Sequence, residues 1–101
     1  MVDELDPVIH VQARLRIVTA LDTLKPGDSL SFPRLQSLLN VTSGNLATHL
    51  RRLEESGYVK VEKVLEGRAP VTYINLTDDG RHAFRVYKKN LRALLERPAV
   101  V

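Results

Sequence analysis

Two segments with helical patterning, at residues 31–39 and 42–56, are joined by only about three residues, Asn40 to Thr42. Ser31 is a candidate N-cap for the first segment, and Asn40 suits the left-handed backbone conformation that ends many helices. Because the connection is so short, the second helix must lie directly beside the first. This pair constrains the fold more than any other feature of the chain.

The second of these helices has clear sequence signals for its start, its buried face and its exposed face. Thr42 is a candidate N-cap, and Val41 can pack onto Leu46 as a hydrophobic staple. Gly57 ends the helix. Three leucines form one stripe (Leu46, Leu50 and Leu53), and the opposite side carries Gly44, Asn45, Thr48, Arg51 and Arg52, with His49 on the flank. Arginine can bond guanine and asparagine can bond adenine in the major groove, so this face suits a DNA duplex.

A first helix is predicted over residues 7–25. Asp6-Pro7 is interpreted as its N-cap and first helical residue, and Lys25-Pro26-Gly27 stops it. Its apolar stripe is wider than one core contact requires, which indicates a second surface buried by a partner chain.

A hairpin and a last helix complete the chain. Residues 58–76 are rich in β-branched and aromatic residues around "EGRAP", which predicts a hairpin with an exposed, flexible tip and a connection longer than two residues. Thr77 is the candidate cap of a helix over 77–97, whose first turn holds two aspartates. The order helix, helix, helix, hairpin, helix predicts a mostly helical α+β fold, and the short connection between the second and third helices is the layout of a helix-turn-helix.

Length and composition fit one small domain, residues 1–101. The chain has no cysteine and no long apolar run, so we expect a cytoplasmic protein without a membrane span, disulfide or thiolate metal site. Its histidines are isolated in the sequence, and no motif pairs a nucleophile with a base. The sequence therefore predicts neither an enzyme nor a cofactor or metal site.

The run from Arg14 to Phe84 resembles the small winged-helix DNA-binding domain of bacterial and archaeal transcriptional regulators of the MarR and ArsR types. The resemblance rests on "SF..L...L", "T.GNL..HLR.LEE.GYV", "EGR.P.T.Y.LT" and "T..GR.AF", in this order and at this spacing. It implies a winged helix-turn-helix with a three-helix core, a wing of two or three strands and a C-terminal dimerisation helix. It further implies a homodimer held by the first and last helices. It also implies that the helix at 42–56 enters the major groove and that the "EGRAP" wing lies against the backbone or minor groove.

Each candidate DNA contact also has a plainer structural reading. Arg51 and Arg52 could be solvated and paired with nearby glutamates at little energetic gain. Ser43 could serve only the helix N-terminus, which is also where a phosphate would bind. Arg68 has little structural reason to be basic, and a narrow minor groove attracts arginine. The full candidate set is Arg34, Ser43, Asn45, Thr48, His49, Arg51, Arg52, Lys63 and Arg68, of which Arg34 and Lys63 would contact phosphates.

The last helix has an apolar side and a basic side. We interpret the apolar side, with part of helix 1, as a dimer interface made of Val8, Ile9, Phe84, Tyr87, Leu91, Leu94 and Leu95. The basic side comprises Arg81, Arg85, Lys88, Lys89 and Arg92. Either it is solvated, or it receives phosphate or the partner's acidic N-terminal segment, which contains Asp3, Glu4 and Asp6.

The preferred hypothesis is a homodimeric transcriptional regulator that binds a pseudo-palindromic duplex site. The alternative is a winged-helix protein-interaction module, although the basic helix face argues against it. An RNA-binding role is less favoured because the sequence shows no aromatic stacking platform. The operator, the direction of regulation and any small-molecule effector stay open.

Overall fold

A computed structural model of the protein describes residues 4–97, and this part of the chain contains four helices and a three-stranded sheet. In chain order the elements are α1 (Gln12–Asp22), β1 (Leu30–Ser31), α2 (Phe32–Leu39), α3 (Ser43–Glu55), β2 (Val59–Glu66), β3 (Ala69–Leu76) and α4 (Asp78–Glu96). The sheet is antiparallel with the order β1-β3-β2. This arrangement confirms the predicted winged helix-turn-helix fold.

Short polar side chains set the starts of three helices. The hydroxyl groups of Ser31, Thr42 and Thr77 each accept a hydrogen bond from the backbone N–H three residues later, at 3.3, 3.1 and 2.9 Å. Asn40 ends α2 in the left-handed conformation, with φ 53° and ψ 54°. These four sequence signals are confirmed, and they fix the short connection between α2 and α3.

The first helix begins later than the pattern predicts, at Gln12 rather than at Pro7. The Asp6 carboxylate does accept backbone hydrogen bonds, from the N–H groups of Val8 and Ile9 at 2.8 and 3.3 Å, but it caps only a single turn. Val11 is extended, with φ −136° and ψ 126°, and this residue interrupts the helical path. The N-terminal turn, residues 6–10, is therefore a separate element.

The wing is a tighter hairpin than the sequence suggests. Glu66 pairs with Ala69, so the connection is the two-residue turn Gly67-Arg68, and the expectation of a longer loop is wrong. Gly67 has φ 64° in the first turn position, a conformation that glycine adopts without strain. Pro70 is tolerated inside β3 because β1 pairs only with the far end of that strand, which leaves β3 open on one side near the tip.

The core lies between the helices and one face of the sheet. Fifteen apolar residues of the described chain are buried there: Val8, Ile9, Ile17, Val18, Leu21, Leu35, Leu39, Leu46, Leu50, Leu53, Val59, Ile74, Leu76, Phe84 and Tyr87. Val8 and Ile9 bring the N-terminal turn into this core. Within residues 4–97, no helix combines the length and apolar character that crossing a membrane requires.

The start of α4 packs against the short segment that joins α3 to β2. The Thr77 N–H donates to the carbonyl of Tyr58 at 3.0 Å, and the Thr77 hydroxyl donates to the carbonyl of Gly57 at 2.6 Å. A Cβ atom at Gly80 would lie 2.1 Å from the Tyr58 oxygen. Only glycine permits this approach, so Gly80 sets the position of α4 relative to the wing.

We predict that Gly80→Ala lowers the free energy of unfolding by at least about 3 kcal/mol, the upper end of the usual cost of overpacking. The contacted atom is the backbone oxygen of Tyr58, which cannot rotate away as the end of a side chain could. The matched control is Gly44→Ala, at a helical glycine with nothing within 4 Å of its added Cβ, which should stabilise the protein by up to about 1 kcal/mol. Urea unfolding measures both variants, and equal midpoints for the two would contradict the packing argument.

A hydrogen bond between Tyr58 and Asp6 holds the N-terminal turn in place. The Tyr58 hydroxyl donates to the second Asp6 carboxylate oxygen at 2.6 Å. This hydrogen bond, together with burial and the negative charge of Asp6, raises the pKa of Tyr58 to about 12. The carboxylate therefore both caps the turn and ties it to the first residues after α3.

The Asp6–Tyr58 bond predicts a loss of stability at alkaline pH. A raised tyrosine pKa means that the folded state favours the neutral phenol, so this contribution is complete below the ordinary pKa of 10 and is lost as the pH rises towards about 12. Urea midpoints measured between about pH 9 and pH 12 should fall more steeply for the wild type than for Tyr58→Phe. Parallel curves for the two proteins would show that Tyr58 does not titrate in this way.

Candidate nucleic-acid interface

Helix α3, which corresponds to the predicted recognition helix at 42–56, is oriented by its leucine stripe. Leu46, Leu50 and Leu53 are 1%, 4% and 0% exposed, so this side of the helix faces the core. The residues predicted to face DNA lie on the remaining surface: Ser43, Asn45, Thr48, Arg51 and Arg52 are exposed, and His49 is half-buried. The structure thus brings six of the nine candidate contacts onto one helix.

Arg51 shares a surface groove with the wing. The groove has a volume of about 410 Å³ and runs between α3 and the sheet, where Arg51 and Lys63 both line it. Glu54 and Thr72 lie on the same walls. Two cations that are distant in sequence therefore border one concave surface, and this placement suits a phosphate backbone that passes between helix and wing.

Two of the predicted base contacts are restrained within α3. The Arg52 guanidinium donates to the Ser56 hydroxyl at 3.3 Å, and the Thr48 hydroxyl donates to the Gly44 carbonyl at 3.0 Å. Both side chains are exposed, and both keep hydrogen-bonding capacity for a ligand. A duplex that received α3 in its major groove would meet a hydrogen-bond donor at Arg52 and an acceptor at Thr48.

The N-terminus of α3 is open to an anion. Its first turn holds no acidic residue, so the partial positive charge of the helix dipole is not compensated there, and Ser43 is exposed as the first helical residue. Arg34 is exposed in the first turn of α2. Arg68 is exposed in the two-residue turn at the tip of the wing. These placements are compatible with phosphate or minor-groove contacts, which stay predictions.

Two arginines of α1 adjoin this surface, and the sequence pattern did not single them out. Arg14 Nη1 lies 3.3 Å from His49 Nδ1, and Arg16 Nη2 donates to the Leu39 carbonyl at 2.8 Å. Arg16, Asn45 and His49 also line a cavity of about 190 Å³ between α1, the end of α2 and α3. The sequence offers no local signal for these contacts, because each one joins residues that are far apart in the chain.

The residues predicted for a dimer interface fall into two groups. Val8, Ile9, Phe84 and Tyr87 are buried within the protomer's own core, so they have little surface left for a partner. Leu91 is half-buried, and Leu94 and Leu95 are 44% and 73% exposed on the second half of α4. Val86 is exposed on the same helix. Of the residues predicted for the interface, those that are available for a partner therefore lie on α4 and not on the N-terminal turn.

Part of the basic side of α4 is used within the protomer. Arg81 Nη1 and Lys88 Nζ lie 2.9 and 3.7 Å from the carboxylate oxygens of Asp22 in α1, and Lys88 also lies over the Phe84 ring at 4.7 Å. Arg85, Lys89 and Arg92 are exposed. Of the acidic N-terminal residues predicted as one possible partner of this basic side, Glu4 and Asp6 belong to the described chain, whereas Asp3 lies outside it.

Among residues 4–97 no three histidine or acidic residues cluster as metal ligands would.

A helix-turn-helix with capped helices, followed by a β-wing, defines the class of small winged-helix DNA-binding domains, and this chain has both features. Arg51 and Arg52 are exposed on its second helix. The family model described as "Winged helix DNA-binding domain" matches residues 13–95. The chain belongs to this family, which confirms the resemblance drawn from the sequence motifs.

Individual relatives agree with this assignment. A protein of Methanocaldococcus jannaschii is 47% identical over 81 residues, which cover 79% of this chain and 84% of the relative. The structure of a transcriptional regulator homologue from Pyrococcus horikoshii OT3 matches with a TM-score of 0.82 and 30% identity, over 92% of this chain and 89% of that one. The structure of S. aureus MepR in a DNA complex matches in fold, with a TM-score of 0.67 and 14% identity over 93% of this chain and 70% of that one.

Replacing one exposed arginine tests whether α3 contacts bases. We predict that Arg52→Ala costs about 1–3 kcal/mol on a duplex selected from a random library and relaxes the preference at one base position. Lys25→Ala is the control, because it removes an equal exposed charge from the loop after α1. Binding is measured by fluorescence anisotropy on selected and random duplexes. An equal loss on both duplexes would assign Arg52 to a phosphate, and no loss on either would remove it from the interface.

Proposed function

We propose that the protein is a transcriptional regulator that binds a pseudo-palindromic site on double-stranded DNA as a homodimer. The observation that carries this proposal is the exposed face of α3, where Asn45, Thr48 and Arg52 are held outward by three buried leucines. A rigid helix with hydrogen-bonding groups at this spacing fits the major groove. The name of the Pyrococcus relative and the DNA complex of MepR support the same function.

The candidate residues divide into two roles. Asn45, Thr48 and Arg52 would contact base edges. The α3 N-terminus with Ser43 would contact phosphates, as would Arg51 and Lys63 across their shared groove. Arg34 adds a further cation beside the helix-turn-helix, and Arg68 would bring the wing tip to the neighbouring backbone or minor groove. Phosphate contacts would supply much of the affinity, whereas the base contacts would supply the sequence preference.

Apolar surface that one protomer leaves uncovered supports the homodimer. Leu91, Leu94 and Leu95 lie on the half of α4 that extends past Phe84 and Tyr87, the last buried residues of the helix. Two copies of this helix, related by a two-fold axis, would cover each other's leucines with the same patch. Such a dimer would present two α3 helices to half-sites of opposite orientation, and this symmetry is the reason to expect a pseudo-palindromic site.

One double variant tests assembly and DNA binding together. Leu94→Glu with Leu95→Glu changes side chains that are exposed in the protomer, so the fold should persist, whereas two buried carboxylates should prevent the subunits from pairing. We predict a dimer for the wild type and a monomer for the variant in sedimentation velocity. The wild type should bind a selected duplex about a thousandfold more tightly than a random one. The variant should lose about a hundredfold of the specific affinity, because its two half-site contacts are no longer linked.

The matched control is Leu65→Glu on the wing. Leu65 is as exposed as Leu95, at 73%, but it is remote from the proposed subunit contact, so this variant should still sediment as a dimer. A wild-type monomer would contradict the assembly proposal. Equal and weak binding of all duplexes by the wild type would instead favour a protein-interaction module.

A further inference from the structure

Arg14 connects the N-terminal turn to the recognition helix. Its Nε atom donates to the backbone carbonyl of Val8 at 2.5 Å, and its Nη1 atom lies 3.3 Å from Nδ1 of His49. One planar guanidinium thus spans two elements, which a lysine ammonium could not do with the same geometry. The contact joins α1 to the side of α3 that carries the candidate DNA contacts.

The Val8 end of this bridge is itself fixed by neighbouring contacts. Val8 is buried, and its own N–H donates to the Asp6 carboxylate at 2.8 Å. The same carboxylate accepts the Tyr58 hydroxyl bond at 2.6 Å. Because Val8 cannot move freely, the guanidinium of Arg14 approaches His49 from a fixed direction.

The chemistry of this contact determines which nitrogen of His49 carries the proton. A guanidinium has five N–H donors and no acceptor. His49 Nδ1 must therefore accept the hydrogen bond, and a neutral ring that does so carries its proton on Nε2. With Nδ1 directed at α1, the Nε2–H group lies on the other edge of the ring. Asn45 and Arg52, four residues before and three residues after His49, are its exposed neighbours along α3.

We propose that Arg14 is a positioning residue of the DNA interface: it holds His49 with Nδ1 inward, so that His49 presents an N–H donor to the duplex. This inference rests on the proposed function. His49 would then select hydrogen-bond acceptors, which on a duplex are phosphate oxygens or the N7, O6 and O4 atoms of base edges. It would not accept a bond from the amino group of adenine or cytosine. Arg14 itself contributes by fixing this polarity and orientation.

The first test needs no DNA. Nitrogen-15 NMR of the histidine rings, recorded on the full chain at the alkaline plateau where their shifts no longer change with pH, distinguishes a protonated from a bare ring nitrogen. The wild type should show His49 as a single tautomer with a bare, hydrogen-bonded Nδ1. Arg14→Ala should give averaged shifts from a mixture of tautomers. The control is Arg16→Ala, which removes a neighbouring arginine that bonds Leu39 and should leave His49 unchanged. A protonated Nδ1 in the wild type would overturn the proposal.

The second test replaces His49 with two amide side chains, one of which matches the position of Nδ1 and the other that of Nε2. The amide of His49→Asn reaches about as far as Nδ1 and can still accept from Arg14, but the outer donor is lost. The amide of His49→Gln reaches about as far as Nε2 and keeps a donor there. On a duplex selected from a random library, His49→Asn should bind about tenfold more weakly than the wild type, the loss expected for one charge-assisted or well-aligned hydrogen bond, and His49→Gln should lose much less.

The Arg14 variants complete the comparison. Arg14→Ala should weaken binding, but less than His49→Asn does, because part of its population still carries the proton on Nε2. Combining the two should add little to the loss in His49→Asn, because both act on the same contact. Arg16→Ala, with the same loss of charge, should retain more affinity. Losses confined to the selected duplex would place the acceptor on a base, and equal losses on a random duplex would place it on a phosphate. Unchanged affinity of His49→Asn would overturn the proposal.

These tests distinguish failure of the positioning proposal from failure of the proposed function. If the wild type prefers no duplex over random sequence, the regulator proposal is wrong, and the tautomer measurement still decides whether Arg14 orients His49. If specific binding is present but His49→Asn and Arg14→Ala bind like the wild type, the regulator proposal stands and the positioning role of Arg14 is wrong.

Discussion

Burial of the three α3 leucines is the contact on which the rest of the interface depends. Complete burial of a leucine side chain contributes about 1.5–3 kcal/mol, so rotating α3 to expose Leu46, Leu50 and Leu53 would cost a large part of the stability of a domain this small. The helix therefore has one favoured orientation, and Arg52 and Thr48 face outward as a consequence. Only three residues, 56–58, separate α3 from β2, so the same orientation also sets where the wing starts.

The elements around α3 hold it from both sides. Gly80 brings α4 against the backbone of Tyr58, and Asp6 brings the N-terminal turn against the hydroxyl of the same residue. Tyr58 thus joins the N-terminal turn and the start of α4 to the corner between α3 and the wing. Arg14 extends this connection to His49. The proposed DNA contacts consequently rest on a framework whose parts come from the whole described chain, and rigidity of this kind limits the entropy that binding must overcome.

Local signals predicted much of this structure. Ser31, Thr42 and Thr77 cap their helices because an N-cap bond joins residues only three apart, and the leucine stripe of α3 is a periodic pattern within one helix. The sequence-based predictions were wrong where one residue type fits two different local structures. Asp6 caps a single turn and not α1, and Pro70 lies in a strand and not in a loop. Arg14 was missed because its partner His49 is 35 residues away, a contact that depends on how α1 crosses α3.

We expect two copies of α3 to enter successive major grooves of the bound duplex, and methylation protection tests this arrangement. Guanine N7 lies in the major groove, so a bound recognition helix shields it from dimethyl sulfate. On a duplex selected by the purified protein, we expect two groups of protected guanines with centres about 10 base pairs apart, on the same face of the duplex. A tightly bound duplex with no protected guanine N7, or with one group only, would contradict it.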